Sequence, residues 1–384
     1  MRIVSFFSGA GGLDLGYCLA GHKIIWANDF DEYAVQTYNY NIGKYQDHAA
    51  SCIDIVKLLN TSKEEINQII PDCDVIIGGF PCQGFTIANL DRSMEDERNY
   101  LYLQLLKAIS VKQPPFFQLE NVKGLENIDK GEVLPMILHD LENAGTKKSK
   151  LFPGTGAGYD VYYNVLNAYD FGVPQNRERV IILGIRKDID YKSLSNHISD
   201  VPLSKNKPKK RLIINGTHSE DSTINDPVSL KEKINKAYKK WCKSGEPVSI
   251  DINNKVIYHT TILRDAIGDL PLEYSDDCPF HNHTGSACKV KISNHIGNRA
   301  TYWEKRAPTI MGRGSGTGGA LIPPHPEQHR RLSIREVARI QTFPDDFIFH
   351  GNNSACYRQI GNAVPVLLAY HIAYIFTEYE RNGR

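Results

Sequence analysis

The sequence predicts an α/β fold, a parallel sheet covered on both faces by helices, followed by a second, smaller, irregular domain. Three observations carry that prediction. Short apolar runs alternate with amphipathic stretches through the first half, and a glycine-rich turn directly follows the first of these runs. After about Ile189 the chain becomes polar and loses its period.

Taken in order, IVSFF at 3–7 is a continuous apolar run and reads as a buried strand, with the helical GLDLGYCLAG after its glycine turn. IIWAND at 24–29, DVIIGG at 74–79, PFFQLENV at 115–122 and RVIILGI at 179–185 are further strands of the same kind. LYLQLLKAI at 101–109 and LPMILHDLENAG at 134–145 supply helices between them. Residues 190–260 carry a basic cluster, Lys205, Lys207, Lys209, Lys210 and Arg211, without a clean period. Glycines gather in GRGSGTGG at 312–319 and prolines in IPPHP at 322–326. Helical pattern returns in RRLSIREVARIQTF at 330–343 and in QIGNAVPVLLAYHIAYIF at 359–376. This divides the chain into a first domain at 1–189, a second at 190–335, a hinge at 336–358 and a closing helix at 359–384 that returns to the first domain.

Composition excludes little. The 384 residues exceed what one core usually holds. A formal charge of +1 neither requires nor forbids nucleic acid, because a phosphate-binding surface needs only local positive charge. No uninterrupted apolar run approaches the roughly 20 residues of a membrane span, and the first residues show no signal-peptide pattern. The eight cysteines lack CxxC pairs, which suits reduced thiols in a cytoplasm.

The chemistry concentrates in four motifs. In SFFSGAGGLDLG at 5–16, Ser8-Gly9-Ala10-Gly11-Gly12 lets backbone approach a ligand closely. A second strand ends about 20 residues on at Asn28-Asp29, where a carboxylate can hold a ribose diol. Nicotinamide enzymes share these features, although the spacing is not GxGxxG. In GGFPCQGFT at 78–86, Cys82 follows a strand end in a tight loop and reads equally as a nucleophile or as a packed structural thiol. In QLENV at 118–122, Glu120 ends another strand, where desolvation favours a protonated carboxyl able to serve a ring nitrogen. A lone glutamate is more often salt-bridged. In QNRERV, Arg177 and Arg179 stand two apart on one face of an extended segment, suited to an oxygen ligand or to solvent.

Jointly these motifs, with RRLSIREVARIQTFPDDF at 330–347 and QIGNAVP at 359–365, resemble the DNA cytosine-5 methyltransferase family in its bacterial restriction–modification form. They run through nearly the whole chain in the family's order. The resemblance implies a Rossmann-like S-adenosylmethionine-dependent methyltransferase sheet with a target-recognition domain at 190–335. It implies that Cys82 adds to C6 of a flipped-out cytosine, that Glu120 serves N3, and that Arg177 and Arg179 hold O2 and nearby groups. The S-adenosyl-L-methionine pocket falls by the same resemblance on Phe6, Ser8, Gly9, Ala10, Gly11, Gly12 and Leu13 for the methionine part. Asn28, Asp29 and Phe30 serve ribose and adenine, Asp54 and Ile55 the adenine edge, and Pro81, Leu101, Asn362 and Ala363 complete it. Two departures stand out: Asp29 where the family usually has Glu, and Asn99 where Arg98 is usually followed by Gly.

The resemblance further implies double-stranded DNA as partner, a monomer in the bacterial cytoplasm, and a restriction endonuclease acting on the same site. The lysine cluster at 205–211 reads as phosphate contacts or as a solvated surface. Arg331, Arg335 and Arg339, at i, i+4 spacing, suggest a domain interface or a phosphate contact. Cys278, His281, His283 and Cys288 fall within eleven residues, yet their spacing matches no standard zinc pairing, so no metal is expected. An RNA cytosine-5 methyltransferase and a catalytically dead DNA-binding regulator are the rival readings.

Overall fold

The computed structural model describes residues 1–46, 48–81, 100–199, 210–223, 227–244, 258–274, 278–286, 289–294, 297–312 and 322–383. Its centre is a nine-stranded sheet in the order β3-β2-β1-β4-β5-β7-β6-β9-β8. The strands are β1 Arg2–Phe6, β2 Lys23–Asp29, β3 Ser51–Cys52, β4 Val75–Gly79, β5 Phe116–Val122, β6 Tyr159–Asn167, β7 Glu178–Arg186, β8 Ile198–Ser199 and β9 Arg211–Leu212. A parallel pair, β10 His218–Ser219 with β11 Tyr258–His259, stands apart.

The predicted strands are present, but the sheet is mixed rather than wholly parallel. β7 runs antiparallel between β5 and β6. An apolar run specifies burial on both faces, not direction; the short turn at Ala168–Phe171 sends the chain straight back beside β6. Alternate residues feed two cores. Ile3, Val75, Ile77 and Phe116 face one; Val4, Ile76, Phe117 and Leu119 face the other.

The helices are α1 Gly12–Leu19, α2 Glu32–Asn41, α3 Ile55–Leu59, α4 Lys63–Ile69, α5 Tyr100–Lys112, α6 Val133–Glu142, α7 Pro227–Ser244, α8 Leu263–Ile267, α9 Ile334–Ile340, α10 Asn353–Asn362 and α11 Val366–Gly383. The aperiodic reading of 190–260 missed α7. Its Ile234, Ala237, Tyr238 and Trp241 follow helical spacing and are buried on the first core, where Trp241 meets Tyr45 edge-on at 5.0 Å.

The closing helix is two helices, because Pro365 cannot continue α10. Residues 353–382 are long and apolar enough to cross a membrane by composition, and that stretch is mostly buried inside the protein. α11 lies against α1, so closely that a Cβ on Gly16 would stand 2.4 Å from Ala369 Cβ.

Candidate active site

The parallel strands end together. Phe6 is in register with Asn28 and Gly78, Asp29 with Cys52, and Gly79 with Glu120. Loops after β1, β2, β4 and β5 therefore open at one edge of the sheet.

The first of these loops is a cradle. Gly9 and Gly11 take positive φ of 54° and 92°, and Gly11 caps α1. A Cβ on Gly11 would lie 2.3 Å from Ile42 Cδ1, and one on Gly12 2.5 Å from the Val364 carbonyl oxygen. At Gly9 an added Cβ would meet nothing within 4 Å, so that side is open. Ser8 is buried and its Oγ has no hydrogen-bond partner. The Gly9 N–H donates to Asp29 Oδ2 at 2.8 Å, and the Asp31 N–H to Asp29 Oδ1 at 2.9 Å. Burial holds the Asp29 carboxyl above the usual carboxylate range. Just beyond β2, Phe30 is 73% exposed, an aromatic face presented at the same edge.

The other pocket residues divide by where their side chains go. Ala10 and Leu13 are buried, and the half-buried Ala363 reaches Gly12 from the end of α10, whereas the exposed Asn362 lies against Gly312. Pro81 is exposed at the edge. Phe6 turns into the second core against Trp26, with ring centroids 5.1 Å apart; Ile55 is buried in that core and Leu101 packs against it. Asn28 is also turned inward, donating to the Ser51 and Ile53 carbonyls, while Asp54 caps α3 through the Val56 N–H at 2.9 Å.

Glu120 and Arg179 form the second part of the site. Arg179 Nε lies 2.8 Å from Glu120 Oε1, and both side chains are about one-tenth exposed. Burial alone was the basis for reading Glu120; the structure gives it a cationic partner as well. Gly79 makes room for the pair, since a Cβ there would stand 2.9 Å from Glu120 Oε2. Asn121, which sequence reasoning passed over, donates to the Phe80 carbonyl at 3.0 Å and so ties the end of β5 to the end of β4. Cys82 lies outside the described residues, three positions beyond Gly79.

The two arginines do not share one task. Arg177 precedes β7, is 1% exposed, and donates to the carbonyls of Ile310, Gly361 and Ala363 at 2.7–2.9 Å. Burial pulls its guanidinium well below the ordinary arginine range. Beside it Gln175 bridges the Ile310 N–H and Gln341.

The remaining basic features turn inward where they are described. Arg331 lies before α9, not on it, and donates to the Ile322 carbonyl and Asn298. Arg335 donates to the His281, Pro344 and Phe347 carbonyls, and Arg339 pairs with Asp269 and Asp345. These bonds tie residues 269–298 to the segment 331–347. Lys205, Lys207 and Lys209 lie outside the described residues, whereas Lys210 pairs with Asp160. Both ring nitrogens of His283 are engaged, with Pro271 O and Ser333 Oγ, and Cys288 lies outside the described residues, as does the glycine run beyond Gly312.

Against known proteins, residues 1–377 match the family model described as C-5 cytosine-specific DNA methylase. The Type II methyltransferase M.BsuRI of Bacillus subtilis is 33% identical over 97% of this chain and 78% of its own length. M.NgoPII of Neisseria gonorrhoeae is 34% identical over 97% of this chain and 94% of its own. Among solved structures, the S. pombe Dnmt2 methyltransferase superposes with a TM-score of 0.58 at 18% identity, covering both chains fully, which speaks for the fold.

Proposed function

The chain belongs to the C-5 cytosine-specific DNA methylase family and is a DNA cytosine-5 methyltransferase, and we propose that it works through a covalent Cys82–C6 bond to a flipped-out cytosine. The target atom of a stacked base is out of reach, so the cytosine must leave the duplex. Its C5 is a weak nucleophile until a thiolate adds to C6 and converts the ring to an enamine.

The observation that carries this reading is the buried Glu120–Arg179 pair, in register with the strand end three residues before Cys82. N3 and O2 of cytosine are adjacent acceptors. Glu120 delivers a proton to N3 while Arg179 donates to O2, and the two groups already stand side by side. Thymine carries a donor at N3 and mismatches the first of them. Arg177 acts from behind, fixing the chain at 310 and at 361–363.

The donor fitting the cradle is S-adenosyl-L-methionine. The open side at Gly9, the unpartnered Ser8 Oγ, the Asp29 carboxylate and the exposed Phe30 suit a nucleoside with an amino-acid tail. Gly9 to Leu13 would hold its methionine part, Asp29 the ribose and Phe30 the adenine, with Asp54, Ile55, Pro81, Leu101, Asn362 and Ala363 around them. When bound, it supplies an electrophilic methyl group. Residues 190–335 would read the DNA sequence, and the likeness to Type II enzymes supports a role in protecting host DNA from a partner endonuclease.

The test is a duplex carrying 5-fluorocytosine, incubated with protein and S-adenosyl-L-methionine. A denaturation-resistant adduct is expected, and Cys82→Ser abolishes it. An adduct on RNA alone would move the substrate; none on either polymer would leave a DNA-binding regulator.

A further inference from the structure

The lysines of α7 take no part in the chemistry above. Glu232 is the one acid in that helix, and none stands in its first turn. Lys231 is drawn to Asp269, whereas Lys236, Lys239, Lys240 and Lys243 are exposed. At spacings of three, four and seven these four share one side of the helix. The opposite side, Ile234, Ala237, Tyr238 and Trp241, is buried on the first core, so the lysines stand on a fixed platform. Lys44 joins them from another part of the chain. It is exposed over the rings of Tyr40 and Tyr45, at 4.0 and 4.9 Å, and Tyr45 is the ring that meets Trp241.

A helix that only faces solvent mixes its charges. α4 sets Lys63 before Glu64 and Glu65, and α11 ends with Glu378, Glu380 and Arg381. On α7 the charged pairs three and four apart from Lys236 onward are all of one sign, and each works against the helix. The macrodipole accounts for Lys243 in the last turn but not for Lys231 and Lys233 near the start, where positive charge is unfavourable. Asp346 stands 3.4 Å from Lys239, but both side chains are at least half exposed, so water screens the pair. The whole chain has a formal charge of only +1, so this is a local concentration and not a general excess.

The ridge is set back from the catalytic edge. α2 leaves that edge at Asp31 and runs ten residues, about 15 Å, to Asn41, whose Oδ1 accepts the Tyr238 hydroxyl at 3.3 Å. Lys236 to Lys243 covers about 10 Å of helix, the rise of about three phosphates along one DNA strand. We propose that this ridge, with Lys44, is a second, sequence-independent seat for duplex DNA, holding phosphates away from the edge where the cytosine is methylated. The inference rests on the family assignment and adds a surface to it. Most DNA that such an enzyme meets lacks its target. Phosphate contacts carry no sequence information and let a protein slide, so the ridge keeps the enzyme on the polymer between targets.

The test is fluorescence anisotropy of the purified full chain on a duplex of alternating A·T pairs, from 50 to 200 mM salt. That duplex holds no cytosine, so the result does not depend on the Cys82 reading. Lys236→Gln, Lys239→Gln, Lys240→Gln and Lys243→Gln together should lower the slope of log Kobs against log salt by about three to four. Arginine at the same four positions should keep the slope. Because the charges repel one another, the fourfold Lys→Gln variant should melt no lower than the parent, so a lost slope is not lost folding. Its single-turnover methyl transfer on plasmid DNA at low salt should equal the parent's. A slope unchanged by Lys→Gln, or lowered equally by Lys→Arg, overturns the proposal. Methyl transfer lost at low salt with the fold intact also overturns it, by making the ridge part of the catalytic complex.

Discussion

Two parts of this molecule bury charge in opposite styles. Around α9 every charged group is saturated: Arg330 meets Glu336 through two bonds of 2.8 Å, and Glu336 also accepts the Ser333 N–H in a capping box. Arg335 spends its donors on three carbonyls. At the edge of the sheet the accounts stay open. Asp14 Oδ2 and Ser8 Oγ lack hydrogen-bond partners there. A saturated network fixes shape, while an unsaturated one waits for a ligand.

That contrast can be broken by substitution. Glu120→Gln should cut methyl transfer by about two to four orders of magnitude, because it removes the proton that reaches N3; single-turnover rates measure it, with donor affinity as the unchanged control. Glu336→Ala should instead cost about 3–5 kcal/mol of folding stability in urea titrations, as expected when a buried pair loses one member. If Glu336→Ala spoiled turnover at full stability, the distinction between the two regions would fail.

The smallest effect has the opposite sign. Asp14 has its folded pKa raised from 3.8 to about 6, so the folded state binds more protons than the unfolded one between those values. Its stability contribution is present below pH 3.8 and is lost as pH rises through about 6. Asp14→Asn should therefore stabilise the protein at pH 8 by about 2–3 kcal/mol and by little at pH 4. Paired thermal melts at the two pH values give the comparison, and equal shifts at both would contradict it.

Much of this was legible in the chain. The five longer strands named from apolar runs lie within a residue or two of their observed positions, because burial on both faces leaves a continuous pattern. The nine-residue β6 was missed, since Asp160 and Asn164 interrupt its apolar run, and β3, β8 and β9 have two residues each and leave no pattern to read. α7 was hidden by its own composition: six lysines on its outer side drown the spacing of Ile234, Ala237, Tyr238 and Trp241. In the site, Glu120 meets Arg179 as an ion pair, the salt-bridged fate that a lone glutamate more often has. Arg177 does not face the same way, since period-two alternation applies inside a strand and β7 starts one residue later. The Asp14–Tyr38 contact joins two helices through the core, a relation that no linear motif encodes.

The packing of α11 on α1 carries a consequence for biosynthesis. The wall behind Gly12 is the Val364 carbonyl, and the floor under Gly16 is Ala369, groups translated long after the glycines they support. A nascent chain emerging from the ribosome can pair its early strands but cannot finish this corner until α11 is free to dock. Methylating competence should thus appear only once α11 has docked, with no partly active precursor loose on the genome.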